Sequence, residues 1–221
     1  DVNRKKGLTI GFALIAKNEE KWIYNCLRSI VDVVDQVVVV DTGSTDDTIR
    51  IIKENFPKVE VYEHVWEGSF STARNYSLSY MKTDWVGYID ADEELAQDSK
   101  EKVRFYSELD DFPILLINLY NKMSDGVEAY LFYPRIWRRT WDGKFSKELG
   151  HFIHTKKQYD LDIHFEGIVH NQLMYDMHLP VAKTDLGFIH YGYALPPSDM
   201  AKKHERSKAL LNQQISEDEN N

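Results

Sequence analysis

Short apolar runs alternate with amphipathic stretches along the first hundred positions of the chain. Between the runs, apolar residues recur at the three- and four-residue spacing of a helix face. The apolar runs have the length and composition of buried strands, predicted at 8–16, 37–40, 59–64 and 85–89. The predicted helices begin at Asn18, at Ser44 or Thr45, and at Ser69. This order predicts an α/β fold with a mainly parallel sheet and helices on both faces.

The pattern becomes irregular in the second half of the chain. Aromatic residues are frequent there, but they follow neither the helical nor the strand period over any long stretch. The elements predicted in this half are a strand at 112–120, a strand-like run at 187–193 and a closing amphipathic helix at 200–215.

No internal repeat or low-complexity linker divides the sequence. We therefore expect one domain over residues 1–221, with a regular half at 1–112 and an irregular half with a closing helix at 113–221. The chain starts with Asp1 and stops in a polar run, so we also expect a fragment of a longer protein.

Composition narrows the class of protein. Hydrophobic residues make up 43% and charged residues 29% of the chain, a balance typical of a folded domain. The formal net charge of −9 disfavours nucleic acid and anionic membranes as partners. No apolar run approaches the roughly 20 residues that span a bilayer. The single cysteine, Cys26, excludes an intrachain disulfide and favours a cytoplasmic location, and its spacing predicts a buried side chain.

An acidic cluster follows the predicted strand at 85–89. Asp90 and Asp92 are two positions apart in a turn, so both carboxylates can face one divalent cation. Hard oxygen ligands suit Mg²⁺ or Mn²⁺ that also holds substrate phosphates. The alternative is an ordinary solvated turn. The position at the carboxyl end of a buried strand favours the metal interpretation, because ligands of parallel sheets gather at that edge.

A second carboxylate, Asp41, directly follows the four valines at 37–40 and precedes a glycine turn. Such a group is well placed to accept hydrogen bonds from a nucleobase or a ribose. A helix cap on a tight turn explains the residues at 44–47 equally well, but it does not explain why Asp41 ends a buried strand.

Four motifs in this half resemble those of family 2 glycosyltransferases, which have the GT-A fold. They are IAKNEE at 15–20, VDTGSTD at 40–46, FSTARN at 70–75 and DWVGYIDADE at 84–93. Two later motifs, GIVH at 167–170 and IHYGY at 189–193, resemble a subgroup that includes bacterial peptide glycosyltransferases such as the sublancin S-glycosyltransferase. The resemblance implies a Rossmann-like GT-A sheet whose first half binds a nucleotide sugar and whose irregular second half faces the acceptor.

The resemblance also implies roles for individual residues. Asp41 would contact the uracil or ribose, Arg74 the base or diphosphate, and Asp90 the ribose or a metal-bound water. The implied donor-binding set is Ala16, Asp41, Arg74, Asn75, Asp90 and Ala91. The implied ligands of Mn²⁺ or Mg²⁺ are Asp92 and His190, with Asp90 close by, and Asp92 is thereby also catalytic. A surface salt bridge for Arg74 and a structural role for His190 are the alternatives.

Family 2 enzymes generally invert the anomeric centre by direct displacement, which needs a base beside the acceptor. Glu166 is our candidate, with Glu148 and Asp142 as alternatives. Many relatives carry a glutamate where this chain has Asn171. Lys203 and Arg206 on the closing helix either reach the donor phosphates or form a solvated basic face.

The expected reaction is metal-dependent, inverting transfer of a sugar from a nucleotide-diphosphate donor. UDP-glucose and UDP-N-acetylglucosamine are the donors that the family suggests, and the acceptor is a saccharide or a protein or peptide. Two other classes remain open. A sugar nucleotidyltransferase would show a glycine-rich phosphate loop after the first strand, whereas residues 17–20 contain no glycine. A non-catalytic nucleotide-sugar-binding module would lack the base.

Overall fold

The computed structural model describes residues 7–123, 128–146, 151–160, 165–166, 171–172 and 179–218. The helices in these ranges are α1 Ile23–Ile30, α2 Thr48–Asn55, α3 Phe70–Ser79, α4 Lys100–Ser107 and α5 Pro197–Asp218, with a 3₁₀ turn at Gln97–Ser99. The strands are β1 Ile10–Ala16, β2 Gln36–Asp41, β3 Glu60–Glu63, β4 Trp85–Tyr88, β5 Glu93–Leu95, β6 Ile114–Lys122, β7 Glu128–Arg138, β8 Thr140–Ser146, β9 His151–Asp160, β10 Phe165–Glu166, β11 Asn171–Gln172 and β12 Val181–His190.

Eight of these strands form one sheet in the order β3-β2-β1-β4-β7-β6-β12-β5. The first four are parallel, with the 3-2-1-4 order of a Rossmann-like half. The rest is mixed, because β7 runs antiparallel to β4 and β6, and β5 runs antiparallel to β12. The predicted α/β class is confirmed, and strands from both halves of the chain share the sheet.

The centre of the sheet is buried and closely packed. The valines of β2 are buried, as the four-residue run predicts for a strand covered on both faces. Phe12 of β1 lies across Gly87 of β4, where a side-chain carbon would come within 2.3 Å of the phenylalanine ring. Phe12 also contacts Phe188 of β12, and the centroids of the two rings are 5.8 Å apart. These contacts join the parallel half of the sheet to the mixed half.

Two predicted helix starts were wrong. Asn18 has a positive φ of 56°, and α1 begins at Ile23 without a side-chain cap. Neither Ser44 nor Thr45 caps α2, because the Asp46 carboxylate accepts from the Thr48 amide at 3.0 Å. The third start is confirmed. The Ser69 hydroxyl accepts from the Thr72 amide at 3.2 Å, and α3 begins at Phe70, the residue after Ser69.

The second half contains more regular structure than its pattern indicates. β7 departs from strict alternation because Pro134 and Arg135 interrupt its apolar positions at a bulge against β6. β12 begins six residues before the predicted run, at Val181, and ends at His190. α5 extends the predicted closing helix at both ends. Within the described ranges, no helix combines the length and apolar character needed to cross a bilayer.

Candidate nucleotide and metal site

The loops that follow β1 and β2 are tied to each other. Ala16 and Asp41 are partners in the parallel register of β1 and β2, so both end at the same edge of the sheet. The Ala16 carbonyl accepts from the Thr42 amide at 2.9 Å, and the Asn18 side chain accepts from the Thr45 amide at 2.7 Å. The positive φ of Asn18 turns its loop toward its neighbour. This mutual bonding gives the edge a fixed shape.

Asp41 is buried, and its carboxylate is oriented by the turn that follows it. The Ser44 hydroxyl donates to Oδ1 at 2.5 Å, and the amides of Ser44 and Gly43 donate to Oδ2 at 3.1 and 3.3 Å. Asp41 therefore organises the turn. Its position at the end of β2 places it beside the loop of Ala16. Its contact with a nucleobase or ribose stays a prediction.

Arg74 of α3 is buried and pairs with Asp90, which follows β4. The alternative of a surface salt bridge is therefore wrong. A second buried arginine, Arg135 of β7, lies on the other side of Asp90, with Nη1 3.5 Å from Oδ2. The ring of Tyr88 packs against both guanidinium groups, 4.5 Å from Cζ of Arg74 and 4.1 Å from Cζ of Arg135.

Glu93 balances part of this charge. Its Oε1 accepts from Nη2 of Arg135 at 2.8 Å, and its Oε2 accepts from the Asp90 amide at 2.9 Å. Burial raises the pKa of Glu93 to about 7, and the positive charge of Arg135 opposes that rise. Sequence reasoning missed Arg135, and it gave Glu93 no role beyond its place as the last residue of the 84–93 motif. The sequence signal for Arg135 was an arginine between the apolar residues of 134–137.

Asp92 and His190 are brought together by the pairing of β5 with β12. Oδ2 of Asp92 lies 3.2 Å from Nε2 of His190. On the other side of the ring, Nδ1 lies 2.7 Å from the Asn121 side-chain oxygen, a contact that the sequence did not reveal. With the proton on Nδ1, the neutral ring presents the Nε2 lone pair toward Asp92. Burial lowers the pKa of His190, but the hydrogen bond and charge of Asp92 outweigh it and raise the pKa.

Gly192 is packed closely against these two side chains and against α5. A side-chain carbon on Gly192 would lie 2.3 Å from Oδ2 of Asp92, 2.5 Å from Nε2 of His190 and 2.5 Å from Nζ of Lys203, so a larger residue would displace them. Divalent cations bind carboxylate oxygen and imidazole nitrogen at about 2.0–2.6 Å. Oδ2 of Asp92 and Nε2 of His190 lie 3.2 Å apart, close enough to bind the same cation.

No group of three or more acidic, histidine or cysteine side chains suited to a metal occurs among the described residues. A cation held by Asp92 and His190 would keep most of its positions for water and for substrate oxygens, as Mg²⁺ does at phosphate sites. Asp90 and Asp92 flank the buried Ala91 and have different surroundings. Arginines lie around Asp90, and an imidazole lies beside Asp92.

Lys203 of α5 also lies beside Asp92 and Gly192. Its ammonium group donates to the Gly192 carbonyl at 3.2 Å and lies 3.7 Å from Oδ2 of Asp92. The interpretation of Lys203 as part of a solvated face is therefore wrong, whereas Arg206 is exposed. The pKa of Glu19, in the loop after β1, is raised to about 7 by burial and by the negative charge of Asp92.

Asn75 contacts the backbone of β10 through both ends of its amide. Its Nδ2 donates to the Phe165 carbonyl and its Oδ1 accepts from the Phe165 amide, each at 2.8 Å. Glu166 is the next residue, and its register partner in β11 is Asn171. The Glu166 side chain and the Asp142 side chain lie outside the described part of the structure, as does all of Glu148.

Cys26 is fully buried, as its spacing predicted. Burial raises the pKa of its thiol, which keeps the group protonated and unreactive. It therefore has the packing role that the sequence indicated.

The model of the family "Glycosyl transferase family 2" matches residues 12–165, the region that carries Ala16, Asp41, Arg74, Asp90 and Asp92. The chain belongs to glycosyl transferase family 2. The match ends before His190 and α5, so these parts of the site lie beyond the matched region.

Two curated relatives illustrate the range of similarity. The SPbeta prophage-derived glycosyltransferase SunS of Bacillus subtilis (strain 168) is 29% identical over 212 residues, which cover 94% of this chain and 45% of that relative. The chain therefore spans less than half the length of SunS. The uncharacterized glycosyltransferase RT0209 of Rickettsia typhi is 39% identical over 92 residues, 42% of this chain and 30% of that relative.

Solved structures give more limited matches. Residues 1–349 of S. aureus TarS align with a TM-score of 0.45 and 23% identity, covering 52% of this chain and 36% of that one. Glucosyl-3-phosphoglycerate synthase from Mycobacterium tuberculosis, in complex with Mn²⁺, UDP and glucosyl-3-phosphoglycerate, aligns with a TM-score of 0.42 and 25% identity. That match covers 51% of this chain and 44% of the synthase.

Proposed function

We propose that the chain is the catalytic part of a metal-dependent glycosyltransferase that moves a sugar from a UDP-sugar to a saccharide or a protein or peptide acceptor. The observation that carries the proposal is the placement of Oδ2 of Asp92 3.2 Å from Nε2 of His190. Asp92 follows β4 at the same sheet edge at which β2 ends with Asp41, and family membership supports the same reaction class.

The donor nucleotide would lie across the carboxyl ends of β1, β2 and β4. Asp41 offers an oriented carboxylate to the uracil or ribose, and the backbone of Ala16 borders the same space. Arg74 is held against Asp90 and supplies positive charge beside the donor. UDP-glucose and UDP-N-acetylglucosamine are the donors we would test first.

Asp92 and His190 would hold Mn²⁺ or Mg²⁺, with Asp90 nearby. When bound, the metal neutralises charge that develops on the departing nucleoside diphosphate. Lys203 adds a second positive group at the same place, since its ammonium already lies within 3.7 Å of Asp92. Trp22 and Tyr191 stack at 5.1 Å and join the loop after β1 to the loop after β12, which directly follows His190.

Inversion by direct displacement needs a proton acceptor on the acceptor side of the donor sugar. Glu166 is the proposed base, with Glu148 and Asp142 as the alternatives. Asn75 supports this assignment, because it anchors the residue that precedes Glu166 to α3, the helix that also carries Arg74. The location in the cytoplasm and the single-domain organisation remain predictions.

Donor hydrolysis is the first test. The purified chain is incubated with a panel of nucleotide sugars, with Mn²⁺ or with EDTA, and nucleoside diphosphate release is measured. We expect release from one UDP-sugar with Mn²⁺ only, and its loss in Asp92→Ala. Asp98→Ala, a matched change at an exposed aspartate outside the site, should retain it. Equal release by Asp92→Ala, or release that survives EDTA, would contradict the metal site. No release from any donor, together with no UDP binding, would contradict the function.

A further inference from the structure

Arg135 is the residue that a bulge adds to β7. Leu115 of β6 pairs with Ile136 and the next residue, Leu116, pairs with Pro134, so Arg135 has no register partner in β6. Bulges of this kind bend a strand and redirect a side chain, and they are frequent beside active sites. Here the redirected side chain enters the charged cluster of Asp90, Glu93 and Arg74.

The guanidinium of Arg135 is too deeply buried to touch a substrate. The side chain is only 6% exposed. It packs on the Tyr88 ring and pairs with Glu93 at 2.8 Å, and it faces Asp90 at 3.5 Å. Any influence on a bound ligand must therefore pass through Asp90, whose side chain is 29% exposed and can still be reached.

The two arginines lie at different oxygens of Asp90. Arg74 donates to Oδ1 from α3, and Nη1 of Arg135 lies 3.5 Å from Oδ2, a charge contact without a hydrogen bond. Glu93 completes the arrangement, because it binds Arg135 and also accepts from the Asp90 amide. A carboxylate that is hydrogen-bonded at one oxygen, attracted by a cation at the other and bonded through its own backbone has restricted rotation.

We propose that Arg135 is a positioning residue that, opposite Arg74, fixes the Asp90 carboxylate as the acceptor for the ribose hydroxyls of the donor. The assignment rests on the proposed function. It separates the two aspartates of the 90–92 turn: Asp92 serves the cation, and Asp90 serves the nucleoside. Because it pairs with the two arginines, the Asp90 carboxylate does not serve as a ligand of the cation.

The strand offers a matched control. Arg138 is three residues further along β7, its side chain is 5% exposed, and it pairs with Asp110 at 2.5 Å. Its guanidinium also lies near an aromatic ring, that of Trp85, at 5.6 Å. Replacing either arginine removes a buried cation from the same strand, but only Arg135 faces Asp90.

The test compares the affinities of UDP and 2′,3′-dideoxy-UDP, measured by calorimetry with Mn²⁺. The wild type should prefer UDP by at least about tenfold, the range for a hydrogen bond to a charged group. Asp90→Asn and Arg135→Met should each lose most of that preference, Arg135→Lys should retain part of it, and Arg138→Met should keep it. If Arg135→Met does not fold, the double variant Glu93→Gln/Arg135→Met takes its place in the test. It removes both charges of the buried Arg135–Glu93 pair, so neither is left without its partner.

The outcomes separate the two proposals. A preference that Asp90→Asn abolishes but Arg135→Met and the double variant retain would overturn the role of Arg135 and leave the function intact. Equal losses in Arg135→Met and Arg138→Met would also overturn it, because a general loss of packing would then account for both. A wild type that binds UDP without any preference would overturn the ribose contact itself. A wild type that does not bind UDP at all would contradict the proposed function.

Discussion

Asn75 of α3 and Phe165 of β10 exchange two hydrogen bonds of 2.8 Å, although 90 positions separate them in the chain. One planar amide thus holds both backbone polar groups of the residue before Glu166. The bonds link the helix of Arg74 to the proposed base. Asn75 therefore helps to set the distance between Arg74 and the proposed base.

Asn75→Ala should lower kcat by about 10- to 100-fold, the cost of misplacing a reacting group by about 1 Å. Donor affinity should change little, because the helix of Arg74 remains in place. Steady-state kinetics and UDP calorimetry measure the two quantities. Ser79→Ala is the control on the same helix, since its hydroxyl donates to the Tyr76 carbonyl of that helix. A change confined to UDP affinity would place Asn75 at the nucleotide instead.

Glu166→Gln should lower transfer by about 10²- to 10⁴-fold while UDP and Mn²⁺ binding stay at wild-type levels, because it removes a base without changing shape. The measurement is single-turnover transfer to a true acceptor. Asn171→Gln, at the register partner of Glu166, is the control. Normal transfer by Glu166→Gln would move the role to Glu148 or Asp142.

Gly192→Ala should abolish Mn²⁺ binding, because the added methyl group would lie 2.3 Å from Oδ2 of Asp92 and 2.5 Å from Nε2 of His190 and would displace both side chains. UDP binding in EDTA should survive, since Asp41 and Arg74 are unaffected. Titration of Mn²⁺ with UDP present measures the loss. Ala194→Ser changes the same loop two residues further on and should bind Mn²⁺ normally. Unaltered Mn²⁺ affinity in Gly192→Ala would show that the cation lies elsewhere.

Asp41→Ala should weaken UDP binding by about 1–3 kcal/mol, the cost of leaving a buried polar partner without its bond. Asp41 also accepts hydrogen bonds from Gly43 and Ser44, so Asp41→Ala disturbs the turn as well as the proposed UDP contact. Ser44→Ala separates the two effects, since it removes a turn bond and keeps the carboxylate. Equal losses in the two variants would assign the whole effect to the turn.

The folded protein without metal should lose stability as the pH rises from about 4.5 to about 7. Burial and the charge of Asp92 raise the pKa of Glu19 from 4.5 to about 7, so the unfolded chain releases this proton first. Below pH 4.5 both states are protonated and the penalty is absent. Glu19→Gln should therefore match the wild type in acid and exceed it above pH 7, by about 1–3 kcal/mol.

Denaturant unfolding in EDTA across this pH range tests the Glu19 prediction. Glu101→Gln, at an exposed position of α4, should follow the wild-type curve. Parallel curves for the wild type and Glu19→Gln would contradict the raised pKa.

The parallel half of the fold could be predicted because its signals are local. A run of valines before Asp41 and a glycine turn mark β2, and an apolar run before Asp90 marks β4, without any knowledge of their neighbours. The same locality explains the errors at Asn18 and Ser44. Both residue types commonly cap helices, but here their side chains bond across to the neighbouring loop, and a single segment carries no sign of that.

The partners of the site could not be predicted for a related reason. Asn121 lies among alternating strand residues and has the sequence pattern of an ordinary polar position until β12 places His190 beside it. β5 has only three residues, and its strand pairing depends on the edge that β12 supplies. Arg135 is positioned by a bulge, which follows from the pairing of two strands and not from either strand alone.

Asp92 and His190 are 98 positions apart, and this separation has a consequence for synthesis. A ribosome that adds about 5–20 residues per second needs about 5–20 seconds to pass from one to the other. Throughout that interval the nascent chain carries the carboxylate but not yet the imidazole, and the short strand β5 has no β12 to pair with. A cation that needs both side chains can be captured only after the last strand of the sheet has left the exit tunnel.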